Sequence, residues 1–312
     1  MVMDISVVVC TWNNARQLAV TLNAIANCKI PVSVKWELVL VNNNCTDDTD
    51  IVVQKFRNQL PIKYIEEPHQ GLSRARNAGV QSASGKLVIF TDDDVKPCRE
   101  WITNYWLAYK ERQSMCFFGG PLKSEFEGRK PDEDFLEVAP GSVKGYSRGK
   151  HPKQLDSEDF FLAANWACPL EMLEMTGGFN VDKGLNASSQ RVRAGEEDDL
   201  MRRLRKLGMT GWYLPGAWGT HVVPEHKCNL RHIGDRSEAY GVEMAKERYK
   251  SLIESLAMRR VPYWMYKRAF VAWVRWIGSK LLRRKGYREY LKWRQMKGII
   301  FSVSEEIGKA KN

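Results

Sequence analysis

An α/β fold, with a mostly parallel central sheet, flanking helices and a C-terminal helical extension, is what the 312 residues predict. Three observations carry it. Apolar runs of strand length alternate four times with helical patterns over the first third of the chain, the pattern of β-α units that build a parallel sheet with helices on both faces. Polar and acidic residues gather where those runs end, which is where open α/β sheets bind ligands. From Leu230 onward the spacing turns helical and the charge turns basic.

The first strand is predicted over Ile5–Cys10, running into the turn Thr11-Trp12-Asn13-Asn14. Leu18, Leu22 and Ile25 then give Ala15–Ala26 a helical spacing. Trp36–Val41 is a second buried strand, closed by Asn42–Thr49, whose Asx and Thr residues cap a helix over Ile51–Asn58. Ile62–Ile65 is a short third strand and Gly71–Gly79 the helix after it. The small-residue turn Ser82-Ala83-Ser84-Gly85 releases the β-branched run Leu87–Phe90, a buried parallel strand by composition and length. It runs out into Asp92, Asp93 and Asp94. Three unpaired carboxylates are too costly to bury, so they stand at an open strand end. They form either a cation site or a solvated turn favoured by the dipole of the helix predicted over Trp101–Leu107.

Residues 119–160 are rich in Gly, Pro and charge with little periodicity, which predicts a long loop over the sheet. Asn165–Pro169 and Thr176–Asn180 frame a short helix, Leu170–Met175, and Asp182–Ala194 reads as a second polar loop. Gly195-Glu196-Glu197-Asp198-Asp199 then opens a helix that bases close and Gly208 stops. Four acids exceed what a helix dipole asks, so one of them at a cleft is a candidate general base. Trp212–Pro215 reads as an edge strand, and His221-Val222-Val223-Pro224 follows, its histidine structural unless a metal neighbours it. In the tail, Tyr266, Phe270, Trp273, Ile277 and Leu281 form one helical stripe opposed by Arg268 and Arg275. That stripe either lies in a membrane interface or packs on the sheet. Gly278 and Gly286 are expected to divide this segment into separate helices.

Seven scattered cysteines without a C-x-x-C pair indicate neither a disulfide framework nor a zinc knuckle, and fit a reducing compartment. The N-terminus has no basic n-region, and no uncharged run is long enough to span a bilayer, so a cytoplasmic location is expected. The net charge of +11 is unevenly placed: residues 241–312 hold 18 Lys and Arg against 6 Asp and Glu, the first 240 hold 30 against 31. A near-neutral body with a basic, aromatic tail argues for a catalytic or binding domain carrying a device for an anionic surface, and against nucleic acid as a partner. Neither a G-x-G-x-x-G after the first strand nor a P-loop is present. A nucleotide would therefore be held by polar side chains at the strand ends, with Thr11, Asn13, Asn42, Arg76 and Asp92 the candidates; turn chemistry explains each of them singly.

Taken in order, these pieces resemble a family-two glycosyltransferase of the GT-A fold, of the type that builds bacterial polysaccharides, over residues 4 to about 235. The resemblance rests on Ser6–Asn13, on Val39–Thr49 with its Asn42-Asn43-Asn44-Cys45-Thr46-Asp47-Asp48-Thr49 turn, and on the helix Gly71–Gly79. It continues through Phe90–Val95 as a D-x-D signature, Gly177-Gly178-Phe179-Asn180, Gly195–Leu200, and His221–Pro224 as an H-x-V-P element. It implies a GT-A domain over 1–235 and a basic amphipathic helical extension over 236–312. It also implies an inverting, metal-dependent transfer from a nucleoside-diphosphate sugar to a glycan or lipid-linked acceptor. In that scheme Asp94 holds a divalent cation, Mg2+ or Mn2+, with Asp92 on the ribose or metal side, Asp93 beside them and His221 completing the coordination. Glu197 is the base, with Glu196 and Asp198 its neighbours in the alternative registers. Asn42 departs from the family's usual aspartate, and because an amide donates as well as accepts, the base it reads may differ. The stretch 261–301 suggests peripheral contact with the cytoplasmic face of a membrane. The rival reading is a non-catalytic GT-A scaffold that binds membrane or polyanion through its tail.

Overall fold

The computed structural model describes residues 3–112, 115–182, 195–249 and 260–309. Its first half follows the expected alternation: β1 (Met3–Thr11), α1 (Ala15–Ala26), β2 (Trp36–Asn42), α2 (Thr49–Phe56), β3 (Ile62–Glu66), α3 (Leu72–Ser82) and β4 (Gly85–Asp92). β1 lies between β2 and β4, parallel to both, and β3 extends the parallel set beyond β2. Both faces of β1, β2 and β4 are covered, which is why these three read as apolar runs, whereas β3 at the sheet edge is short and buries no residue. Val7 and Val9 pack with Leu18 and Leu22 of α1, whereas Val8 on the opposite face packs with Ala75 and Val80 of α3.

Beyond β4 come β5 (Val95–Pro97), α4 (Trp101–Arg112), β6 (Cys116–Gly119), β7 (Leu122–Phe126), α5 (Glu133–Val138), α6 (Gly141–Lys144), β8 (Lys153–Gln154) and β9 (Asn165–Pro169). They are followed by α7 (Leu170–Met175), α8 (Glu196–Lys206), β10 (Thr210–Tyr213) and β11 (Gly219–Val223). The main sheet has the order β3-β2-β1-β4-β9-β6-β10-β8, and a smaller one the order β5-β11-β7.

Three expectations are corrected here. Residues 119–160 hold two strands and two short helices instead of a structureless loop; each element is only two to six residues long, too short to show a period. Asn165–Pro169 is a strand in the middle of the sheet, antiparallel to both β4 and β6. All five of its residues are buried, so it shows no alternation, and its leading asparagine is hidden by complete hydrogen bonding. The Asn165 amide accepts from Trp101 Nε1 and Tyr105 Oη, each at 2.7 Å, and donates to the carbonyls of Pro121 and Ala217. Finally, the strand predicted at Trp212 is not an edge: β10 runs between β6 and β8. Of the polar loop expected over Asp182–Ala194, residues 183–194 lie outside the described residues.

The chain divides into two compact units, at different places from the 1–235 and 236–312 expected. The first takes in 3–125, 145–182 and 196–222, and the second takes 126–144 together with 223–309. The second unit is helical, with α9 (Leu230–Arg248), α10 (Tyr263–Leu281) and α11 (Tyr287–Lys309) joining α5 and α6. α9 and α11 approach closely at two glycines: a Cβ on Gly298 would stand 2.0 Å from the Glu238 carbonyl, and one on Gly241 would stand 2.2 Å from that of Gln295. Gly286, with φ +59°, lies in the break after α10, but Gly278 sits inside that helix and divides nothing. Nor does the apolar stripe of α10 pack: Tyr266, Phe270, Trp273 and Leu281 are exposed, and the helix buries Met265 and Ala272 instead.

Candidate active site

The acids at the end of β4 have three different environments. Asp93 is taken up by the turn after β1: Thr11 Oγ1 donates to it at 2.6 Å and Asn14 Nδ2 at 2.9 Å, while Thr21 Oγ1 donates to its backbone carbonyl. Burial, with the charge of Asp94 added, pushes its carboxyl up to about 7 against the pull of those two side-chain bonds. Thr11, expected at the nucleotide, and Asp93, expected beside the other two acids, therefore hold each other. Asp94 turns the other way, its Oδ2 3.2 Å from His221 Nε2. That pairing follows from the small sheet, in which His221 of β11 lies opposite Val95 of β5 and Val222 donates its amide to the Asp94 carbonyl.

Asp92 belongs to a third group. The guanidinium of Arg76, on the inner face of α3, forks between Asp92 Oδ1 and Glu196 Oε1, at 3.0 Å each. One buried cation thus ties the end of β4 to the first turn of α8. Burial alone would disfavour the guanidinium's charge, but Asp92, Glu196 and Glu197 around it hold it charged. Phe179 lies under it, 5.5 Å from the guanidinium carbon, and packs edge-on against both Phe90 and Trp166.

On α8 the two registers left open in the sequence part by geometry. Successive residues on a helix point about 100° apart. Glu196 faces α3 and is committed to Arg76, whereas Glu197 Oε2 is buried without a hydrogen-bond partner among the described residues. Burial, reinforced by Glu196 and partly offset by Arg76, raises the Glu197 carboxyl well above the usual range. Asp198 is half-buried in the same turn, and Asp199 accepts from Arg203 one turn along the helix.

The amides expected to read a nucleotide are engaged with the turns. Asn13, at φ +47°, accepts the Thr46 amide at 2.7 Å; Asn42 accepts that of Cys45 at 2.7 Å and donates to Tyr64 Oη at 2.7 Å. Residues that sequence reasoning missed complete the rim. Asn43 reaches across to the carbonyls of Glu67 and His69, and Asn77 of α3 pairs with both the amide and the carbonyl of Phe179. The Gly177-Gly178-Phe179 motif was the available signal for Asn77.

Asp92, Asp94 and His221, the set expected to share a cation, do not form one cluster; among the described residues no three His, Cys, Asp or Glu side chains gather as a metal site. The reason is Arg76, which takes Asp92. The remaining pair still fits a divalent ion by its donor set, a carboxylate oxygen and an imidazole nitrogen. Ligands about 2.1 Å from an octahedral ion stand about 3 Å apart, close to the separation seen here.

Residues 6–160 match the family described as Glycosyl transferase family 2. The chain belongs to that family. It is 23% identical over 241 residues to the succinoglycan biosynthesis protein ExoM of Rhizobium meliloti, covering 75% of this chain and 72% of that one. It spans only about a third or less of the length of some other curated relatives. Among solved structures, the Pyrobaculum calidifontis mannosyltransferase PcManGT in complex with GDP-Man and Mn2+ matches with a TM-score of 0.57, 18% identity and coverage of 100% of this chain and 89% of that one. S. aureus TarS 1–349 in complex with UDP-GlcNAc matches at 0.56, with 16% identity and coverage of 95% and 90%. These structural likenesses establish the GT-A fold of this family-two glycosyltransferase.

Proposed function

We propose that this glycosyltransferase moves a sugar, with inversion, from a nucleoside-diphosphate sugar to a hydroxyl of a glycan or lipid-linked acceptor in the synthesis of a cell-surface polysaccharide, working in the cytoplasm at the face of a membrane. The observation that carries the reading is the fork of Arg76, which gathers Asp92 of β4 and Glu196 of α8 around one site and leaves Glu197 beside them with an oxygen that has no hydrogen-bond partner among the described residues. The relatives' printed functions and bound nucleotide sugars support the same chemistry.

Asp94 and His221 are the residues that would hold a divalent ion, Mn2+ or Mg2+. Bound there, it supplies positive charge against the diphosphate leaving group. Asp92, oriented by Arg76, takes the donor's ribose. Glu197 takes the proton of the acceptor hydroxyl as that oxygen bonds to the anomeric carbon. The bond from that carbon to the diphosphate breaks on the opposite side and its electron pair leaves with the nucleotide, so a single displacement inverts the centre. A base of this kind works best with its pKa lifted toward neutrality, and burial lifts that of Glu197.

Thermal melting with nucleoside diphosphates, with and without Mn2+ or Mg2+, tests the donor side. One nucleotide should stabilise the protein only with metal present, by about 2.7 kcal/mol at a hundredfold excess over its dissociation constant. Asp94→Asn should lose the metal-dependent part and Asp93→Asn should keep it. If no nucleotide shifts the melt in either condition, the non-catalytic scaffold is the better reading.

A further inference from the structure

Of the 19 large hydrophobic side chains exposed among the described residues, nine fall within residues 263–282. They are not scattered. Tyr263, Phe270 and Val274 lie on the side of α10 opposite buried Met265 and Ala272, with exposed Tyr266 and Trp273 flanking them, so the stripe faces out. A soluble surface rarely exposes this much contiguous apolar area without a use for it. Aromatic residues with a polar edge, Trp and Tyr, are the kind that favour a membrane–water interface.

A second feature borders the stripe. Between α10 and α11 lies a cleft of about 480 Å³. Its walls carry Lys267, Arg268 and Arg275 from α10 and Lys292 from α11, against one acid, Glu289. Its floor is apolar, with Val271, Ala272 and Met296. Among the described residues no ion pair uses any of those four cations. Arg268 instead lies over the Trp264 ring at 4.9 Å. Four exposed like charges around an apolar floor attract an anion, and an anion attached to a hydrocarbon matches both parts of the wall.

We infer that α10 and its cleft with α11 bind the phosphate headgroups of anionic phospholipids at a bilayer surface. The cations of the cleft take the phosphate, and Tyr266, Phe270 and Trp273 enter the boundary with the acyl chains. Among the described residues no helix is long and apolar enough to cross a membrane, so the contact lies along the surface. The inference is independent of the sugar chemistry at β4, and it deepens the membrane partner proposed above.

Co-sedimentation of the full chain with vesicles tests it, using phosphatidylcholine alone and phosphatidylcholine mixed with phosphatidylglycerol. The wild type should bind the mixed vesicles, more weakly as salt rises, and the neutral ones poorly. Lys267→Glu with Lys292→Glu should lower that affinity roughly tenfold or more. Phe270→Ser with Trp273→Ser should lower it at unchanged charge. All four positions are at the surface, so both variants should keep the wild-type melting midpoint and its nucleotide response. That response separates failure of this inference from failure of the transferase reading. Wild-type binding by either variant overturns the inference, as does absence of binding to anionic vesicles. Stabilisation by soluble pyrophosphate, or capture by duplex DNA, without vesicle binding assigns the cleft to another anion and also overturns it.

Discussion

On the proposed mechanism, Glu197 and Arg76 set the pH at which the transfer runs. A base must be deprotonated, so the rate should rise with pH through the pKa of Glu197, on a limb lying above the range of an ordinary glutamate because burial raises that pKa. Arg76 pulls the same pKa down, so Arg76→Gln should move the limb to still higher pH. A pH profile of kcat/KM for the two proteins measures this; a limb that does not move removes Glu197 from the role. Linkage gives a second readout. A carboxyl raised in the fold binds its proton more tightly there than in the unfolded chain, so it costs stability increasingly as pH climbs from the ordinary glutamate range to the raised pKa. Glu197→Gln removes that cost. It should therefore raise the melting midpoint at neutral pH while lowering turnover by about 10²–10⁴. The acids themselves were legible in the sequence. The resemblance implied the roles proposed for them, but the contacts that orient them were not legible, since Arg76, Thr11 and Asn14 lie 16 to 120 positions away in the chain.

Between α7 and α8, the turn through Gly177 and Gly178 shows how a loop is built to serve the site. Arg203 of α8 donates to the carbonyls of Thr176 and Gly178, and Asn77 brackets Phe179, which in turn supports Arg76. Both glycines have positive φ, +72° and +75°, so any other residue is strained there. They differ in what a Cβ would meet: nothing within 4 Å at Gly177, but Asn77 Oδ1 at 2.5 Å at Gly178. Gly177→Ala should cost about 1–2 kcal/mol from the backbone alone. Gly178→Ala should cost more, and should weaken donor binding as well, because Asn77 must release Phe179. Urea titration of both variants decides it, and equal losses would mean that the contact does not matter. Elements were legible where a period had room to show. β1, β2 and β4 are long and buried on both faces, and their limits, like those of β3 and the helices between them, came within a few residues. β6 and β9 hold four and five residues with no alternation, and the polar Asn165 at the head of β9 imitates a loop.

At the scale of the whole molecule, the charge asymmetry and the helical tail were legible, but the place where the chain divides was not. Residues 126–144 come early in the chain yet belong to the second unit, and contacts this distant in sequence leave no periodic trace. Phe135, Ala139 and Val143 are buried with Val223 and Ile233, and Tyr287 and Leu291 of α11 pack on the same cluster. Phe135 meets Tyr287 edge-on at 5.8 Å. Lys285 lies 3.0 Å from both Asp132 and Asp134, and Arg288 pairs with Glu137. Those ion pairs are exposed and contribute little; the loss of apolar partners is what matters. A chain ended after residue 235, at the boundary that the resemblance implies, would leave Phe135 without Tyr287 and Leu291. Its 126–144 segment should then open locally and become the first site of proteolytic cleavage, while the intact protein resists at the same protease concentration. Mass spectrometry of the early fragments tests this. First cleavage within 126–144 in the shortened chain alone ties that segment's stability to α11. The same protection in both chains would mean that residues 1–235 complete that core by themselves.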